Sequence, residues 1–235
     1  MRRGVVTGTD VKTVSFDLDN TLWDVGPVLE AAERALRAWL ESECPRALSG
    51  YRPERVVAVR EEIAEQFPER AHDLTFLRKA VLERILGAAG YPATRADAAF
   101  QVFFEARNQV TLFADVLPAL RRLRTRFELV ALTDGNADLE RVGLQAFFGH
   151  CINASTVGRA KPHAAMFQAV ETLTGNSPEQ ILHVGDDPHR DVAGARAYGF
   201  RAVWVNRRQD RWPLEDAVPD AEVADLAALV ESLLD

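Results

Sequence analysis

Val11-Lys12-Thr13-Val14-Ser15-Phe16-Asp17-Leu18-Asp19-Asn20-Thr21 decides how the rest of the chain is read. The apolar-rich run over 11–17 predicts a short buried strand that ends in a carboxylate, with a second carboxylate two residues on. Later runs have the same form. Residues 129–132 lead into Thr133-Asp134-Gly135-Asn136, and 181–184 into Gly185-Asp186-Asp187-Pro188-His189-Arg190-Asp191. A short strand over 151–154 precedes the loop Gly158-Arg159-Ala160-Lys161-Pro162, and 202–205 reads as a further strand. Helical patterns fall between them, at 117–125, 137–147, 163–174, 190–198 (closing at Gly199) and 224–234. Strands separated by helices imply βαβ crossovers. The expected fold is therefore α/β, a Rossmann-like doubly wound parallel sheet with helices on both faces. Chemistry in such sheets gathers at the carboxyl ends of the strands.

One long stretch breaks the alternation. From about Pro27 to Val110 the pattern is helical only. Leu29, Ala32, Leu36, Trp39 and Leu40 share a face, as do Val56, Val59, Ile63 and Phe67, then Leu74, Leu77, Val81 and Ile85. Phe100, Phe103 and Phe104 mark a fourth helix, opened by the capping box Thr94-x-x-Asp97 and set off by Gly90-Tyr91-Pro92. This is an inserted four-helix unit.

The chain of 235 residues suits one large domain, or a core with one insertion. With 47% apolar and 27% charged residues the composition is globular. No apolar run approaches the ~20 residues of a membrane span. The opening MRRGVVTGTD has no apolar segment, which argues against a secretory signal. A net charge of −7 argues against nucleic acid and anionic membranes as partners. Cys44 and Cys151 have no CxxC spacing and read as reduced thiols in a cytoplasmic protein.

Three strand ends thus deliver Asp17, Thr133 and Asp186, and a loop brings Lys161, one of only three lysines. Carboxylates converging on one crevice repel unless a hard cation neutralises them, and oxygen-only ligands suit Mg²⁺. Lysine, a threonine hydroxyl and backbone N–H groups suit phosphate oxygens. Together these are the parts for phosphoryl transfer. The five histidines lack zinc-ligand spacing, and His183, inside a strand, reads as a hydrogen-bonded core residue. The Phe100, Phe103 and Phe104 stripe reads as packing. Trp23, Phe76, Phe103 and Phe104 are also candidate ring contacts for a substrate, with His72 and Arg78 as polar ones.

The ordered motifs Asp17-x-Asp19-x-Thr21, Thr133, Lys161 and Gly185-Asp186…Asp191 resemble the four motifs of the haloacid dehalogenase superfamily. The resemblance implies a catalytic core over 1–23 and 113–235 with a helical cap over 24–112. It makes Asp17 the nucleophile, Asp19 the general acid, and Thr133, Asp134 and Lys161 the phosphate-binding groups. Mg²⁺ would be held by Asp17, Asp186 and the backbone carbonyl of Asp19, with Asp187 and Asp191 as outer-shell or helix-capping groups. Asp134 stands where Asn is usual, and Asp187 where Ser is common. Asp19 favours a phosphatase, because resembling dehalogenases lack a carboxylate there. The pattern is similar to a bacterial branch acting on flavin mononucleotide and the ribityl-aminopyrimidine phosphate of riboflavin synthesis. The expected partner is a small-molecule phosphate ester, with monomer or homodimer left open. Sugar-phosphate or nucleotide phosphatases and a phosphomutase are the enzymatic alternatives, and a non-catalytic small-ligand-binding module is the other.

Overall fold

The computed structural model describes residues 10–234, so the secretory-signal expectation falls largely outside the described residues. The strands are β1 (Thr13–Phe16), β2 (Glu128–Thr133), β3 (His150–Asn153), β4 (Ile181–Gly185), β5 (Arg201–Val205) and β6 (Ala221–Val223). They form one sheet in the order β3-β2-β1-β4-β5-β6, with every pairing parallel. All residues of β1 and β4 are buried, including the polar Thr13, Ser15 and His183, as central strands covered on both faces should be. The chain steps outward through β2 and β3, then returns to place β4 beside β1, in register from Thr13↔Ile181 to Phe16↔Val184. The strand order therefore reverses between β1 and β4, and the crevice of a doubly wound sheet opens there.

The helices are α1 (Val25–Glu43), α2 (Pro53–Gln66), α3 (Leu74–Ala88), α4 (Thr94–Arg107), α5 (Val116–Leu123), α6 (Ala154–Val157), α7 (Ala164–Thr174), α8 (Gly194–Tyr198) and α9 (Leu226–Leu234). A π-helical turn, Pro188–Ala193, runs directly into α8. In α5, Val116, Ala119, Leu120 and Leu123 are buried, and in α9, Leu226, Leu229, Val230 and Leu233. Each set is a single apolar stripe, and the two helices pack on each other.

Two compact units emerge. One takes the chain through Asp24, Thr111–Gly135 and from Gly143 onward, and contains the sheet. The other holds Val25–Val110 and Asn136–Val142, with a core that includes Leu36, Leu40, Ile63, Leu82, Phe100 and Phe103. The aromatic stripe is thus part of that core.

Several local expectations need correction. Residues 137–147 are turns ending in one 3₁₀ turn, Gln145–Phe147, and not a helix. The Asp138 carboxylate accepts from the N–H groups of Glu140 and Arg141, and Gly143 has φ +75°, which ends any helix there. Residues 136–142, expected in the sheet-bearing core, belong to the helical unit. Asn136 donates to Thr75 Oγ1, and Asn108 Oδ1 accepts from the Asp138 N–H. The capping box is absent: α4 starts at Thr94 itself, no side chain caps it at Ala93, and Asp97 pairs with Lys79 at 2.6 Å. β6 was not foreseen.

A half-buried ion pair ties the sheet's carboxyl-end loops together. Arg207 grips Asp115 with two nitrogens (3.1 and 2.8 Å) and donates to the Thr21 carbonyl, while Asp115 also accepts from the Leu226 N–H. Burial alone would raise the Asp115 carboxyl, but Arg207 and the Leu226 N–H hold it below its ordinary value. Its stabilising contribution is therefore full above about pH 4 and is lost as pH falls through the lower folded-state value. Arg207→Ala should cost about 2 kcal/mol at neutral pH. It should also flatten the acid-side fall in stability, a result read from urea midpoints between neutral and acid pH.

Candidate active site

Asp17 follows the last residue of β1, and its N–H donates to the Val184 carbonyl of β4. Its carboxylate is nearly buried, and Oδ1 accepts from Lys161 Nζ at 2.7 Å. Lys161 donates its other two protons to Asp191 Oδ1 (2.6 Å) and the Leu132 carbonyl (2.9 Å). An ammonium has three donors, so this one is saturated. Lys161 is itself held in place, because its backbone N–H donates to Asp134 Oδ1 at 2.8 Å. The Lys161–Pro162 peptide is cis.

Thr133, at the end of β2, is buried, and its hydroxyl oxygen accepts from the Gly135 N–H at 3.0 Å. The hydroxyl proton stays available as a donor. Thr21 Oγ1 lies 3.4 Å from Asp17 Oδ2 and 3.3 Å from Asp186 Oδ1, spanning the two carboxylates. The Asp186 carbonyl accepts from the Trp204 indole N–H at 2.8 Å, which pins the loop after β4 to β5. Asp19 Oδ1 accepts from the Trp23 indole N–H at 2.8 Å.

The structure thus brings Asp17, Thr133, Asp134, Lys161 and Asp186 to neighbouring carboxyl ends of β1, β2 and β4. It uses Asp134 to hold the Lys161 backbone. Asp187 caps the π-helical turn, accepting from the N–H groups of His189 and Arg190. Asp191 does not cap a helix. It is fully buried, and besides Lys161 it meets His183 Nε2 at 3.2 Å and accepts from the Asp187 N–H at 2.9 Å. Its signal was the five-residue spacing from Asp186, which a capping residue shares. Gly185 makes room for it, since a Cβ there would lie 2.3 Å from the Asp191 carboxyl. Of the candidate ring contacts, Trp23 is fully buried and held by Asp19. Phe103 lies under Arg78, Phe76 is edge-on to Phe67, and Phe104 stacks on Phe100. Each of these rings thus meets a neighbouring side chain, with Phe76 and Phe104 half-buried. Arg78 is occupied too, pairing with Glu33 at 2.5 Å.

The electrostatics follow from one lysine among several buried acids. Burial raises Asp17 well above the usual carboxylate range; Lys161 opposes this, and Asp191 and Asp186 reinforce it. Burial, with added like charge from Asp191 and Asp187, pushes Asp186 up to about 7. Asp191 goes the other way. Burial would raise it, but Lys161 and His183 hold it well below its ordinary value. Burial acts to lower Lys161, yet Asp17 and Asp191 raise it, so it stays charged. Burial lowers His183, which keeps its ring neutral near pH 7. Asp17, Asp186 and Asp191 each place an oxygen within 4.8 Å of the others. Asp191 spends both oxygens on protein donors, which leaves Asp17 Oδ2 and the Asp186 carboxylate as the oxygens best placed for a cation. An acidic trio short of positive charge fits a hard divalent ion.

Residues 11–199 match the family model of haloacid dehalogenase-like hydrolases, and the chain belongs to that family. It is an enzyme of the hydrolase class with the family's Rossmann-like fold. The chain is 34% identical to the 5-amino-6-(5-phospho-D-ribitylamino)uracil phosphatase YigB of Escherichia coli (strain K12) over 228 residues, covering 93% of this chain and 94% of that protein. It is 30% identical to a glyceraldehyde 3-phosphate phosphatase of Methanopyrus kandleri, covering 91% and 93%. The crystal structure of a 2-haloacid dehalogenase from Pseudomonas syringae pv. Tomato DC3000 superposes with a TM-score of 0.90 at 37% identity, covering 94% and 97%. Among the described residues no helix is long and apolar enough to cross a membrane.

Gly185→Ala should drive its methyl into Asp191. A destabilisation of about 1–3 kcal/mol is expected from overpacking alone. Urea unfolding of the variant checks it, and an unchanged midpoint would mean that Asp191 can move without cost.

Proposed function

We propose that this chain is a Mg²⁺-dependent phosphatase that hydrolyses small phosphate monoesters through an aspartyl phosphate on Asp17. The observation that carries this is the pairing of Asp17, held by Lys161 within an acidic trio, with a second carboxylate, Asp19, two residues on. Lys161 orients the Asp17 carboxylate, one oxygen of which attacks phosphorus as the ester P–O bond breaks. Asp19 gives its proton to the leaving alkoxide, then takes one from the water that cleaves the aspartyl phosphate. Inorganic phosphate leaves and Asp17 is regenerated. The Thr133 hydroxyl donates to a phosphoryl oxygen, and the Lys161 charge offsets the negative charge that collects beside Asp17. Mg²⁺ held by Asp17, Asp186 and the Asp19 carbonyl would neutralise the phosphoryl oxygens. Residues 24–112 are proposed as the substrate-selecting cap, and the cytoplasm as the compartment.

The similarity to YigB supports the ribityl-aminopyrimidine phosphate or flavin mononucleotide as substrate. A sugar phosphate or nucleotide is the alternative, a phosphomutase reaction a further one. Dehalogenation is a second reading, favoured by the dehalogenase structure. Against it, a halide leaving group needs no proton, so Asp19 would have no task.

The test is a panel with Mg²⁺ containing flavin mononucleotide, the ribityl-aminopyrimidine phosphate, hexose phosphates, nucleoside monophosphates and 2-chloropropionate. Phosphate release is expected, fastest from the first two, with no chloride release, and chelation should abolish it. Chloride release without phosphate release would establish the dehalogenase. Asp17→Asn should leave a folded protein with almost no turnover; activity above about a tenth of wild type would remove Asp17 as nucleophile. Asp19→Asn should cost about 10²–10⁴-fold on alkyl phosphates and much less on an activated aryl phosphate. Equal losses on both would exclude the acid role.

A further inference from the structure

His183 lies in the middle of β4, between the buried Leu182 and Val184, and is completely buried. An imidazole in such a place needs partners for both nitrogens. Both are present. Nδ1 is 2.9 Å from Ser15 Oγ, on the residue paired with His183 across β1 and β4. Nε2 is 3.2 Å from Asp191 Oδ1. The imidazole and the Phe167 ring pack edge to face, with centroids 5.7 Å apart and planes at 84°. Asp191 Oδ1 already accepts from the Lys161 ammonium, so it is an acceptor, and the ring atom facing it must carry the hydrogen. The ring is then the Nε2–H tautomer, and Ser15 donates its hydroxyl proton to Nδ1.

These contacts make one hydrogen-bonded chain, from Ser15 through His183, Asp191 and Lys161 to Asp17, with Asp191 accepting from both sides and each bond running between different elements of the sheet unit. The Asp187 N–H holds Asp191 Oδ2, and His183 with Lys161 holds Oδ1. Without the imidazole, one side of the carboxylate would be fixed by the lysine alone. We propose that His183 is a positioning residue. By donating Nε2–H to Asp191 it fixes the carboxylate that aims the Lys161 ammonium at Asp17. This deepens the phosphatase reading and rests on it for its effect on turnover, but the hydrogen-bond chain itself does not need that reading.

His183→Leu keeps the bulk and loses both hydrogen bonds, while the side-chain amide of His183→Gln can still donate towards Asp191. Ser15→Ala removes only the outer link. Activity is read on a phosphate ester with kcat and KM resolved. Lys161 and the imidazoles are followed by ¹H–¹⁵N NMR, which is tractable with three lysines and five histidines. His183→Leu should lower kcat about 10–100-fold with little change in KM, and His183→Gln should regain most of the loss. Wild type should show an Nε2–H tautomer for His183 and an ordered Lys161 ammonium signal that fades in His183→Leu and returns in His183→Gln. If His183→Leu does not fold, Ser15→Ala and the wild-type tautomer carry the test. An Nδ1–H tautomer in wild type, equal loss in the Leu and Gln variants, or an unchanged kcat in His183→Leu would overturn the proposal. Should wild type hydrolyse no phosphate ester, the phosphatase reading falls. The lysine signal then decides alone, and its persistence in His183→Leu would overturn the positioning role.

Discussion

One ammonium holds the carboxyl end of this sheet together. Lys161 Nζ gives its three protons to Asp17 after β1, the Leu132 carbonyl in β2 and Asp191 after β4. Burying those charges is costly, and their mutual attraction offsets the cost only where every proton and lone pair has a partner. The surroundings meet that condition. Asp134 takes the lysine's backbone N–H. The chain also approaches itself closely where the loop meets α8: a Cβ on Gly194 would lie 2.8 Å from that of Pro162, so only glycine leaves the space. The network is nevertheless short of positive charge. One lysine faces Asp17 and Asp191, and Asp186 stands beside them with its pKa pushed up to about 7. An excess of buried carboxylate over ammonium of this kind is chemistry that a hard divalent ion fits.

That arrangement was partly legible in the sequence because its signal is local. A strand buried on both faces is an apolar run, and a polar residue at its end stands out. Asp17, Thr133 and Asp186 were found in this way, and Lys161 because lysine is rare in the chain. The parallel sheet followed from the alternation of strands with helices. What remained hidden depends on how distant segments meet. Asp191 has the sequence context of a capping residue, yet Asp187 takes the cap. The π-helical turn over Pro188–Ala193 then directs Asp191 inward to Lys161 and His183. Nothing in the local pattern distinguishes these two outcomes.

The misreadings have the same origin. Residues 137–147 carry apolar spacing, and Leu139 and Leu144 are indeed buried, but the Asp138 side chain satisfies the N–H groups that a helix would need to keep. β6 has three residues, too few for a period to show, and exists because it pairs with Val203–Val205 of β5. The Phe100, Phe103 and Phe104 stripe, by contrast, was read as packing and does lie in or against the helical unit's core, because its spacing is a local signal.

Asp17 and Asp19 show how two carboxylates in one short turn acquire different characters. Asn20 adopts φ +63°, a left-handed conformation that asparagine tolerates better than most residues. Its N–H donates to the Trp23 carbonyl, and the Leu22 N–H to the Leu18 carbonyl, so the chain folds back on itself immediately after Asp19. That return brings the buried Trp23 indole under Asp19, and a buried indole N–H requires an acceptor. One Asp19 oxygen is thereby fixed while the residue stays half exposed. Asp17, two residues earlier, is enclosed and tied to an ammonium. Different surroundings thus separate two carboxyls of one turn, one enclosed and tied to an ammonium and one half exposed above an indole, as the proposed roles of nucleophile and proton carrier require. The Asp19 half of that separation is local, because the turn, the indole and both acids lie within seven residues, whereas the Asp17 half needs the distant Lys161.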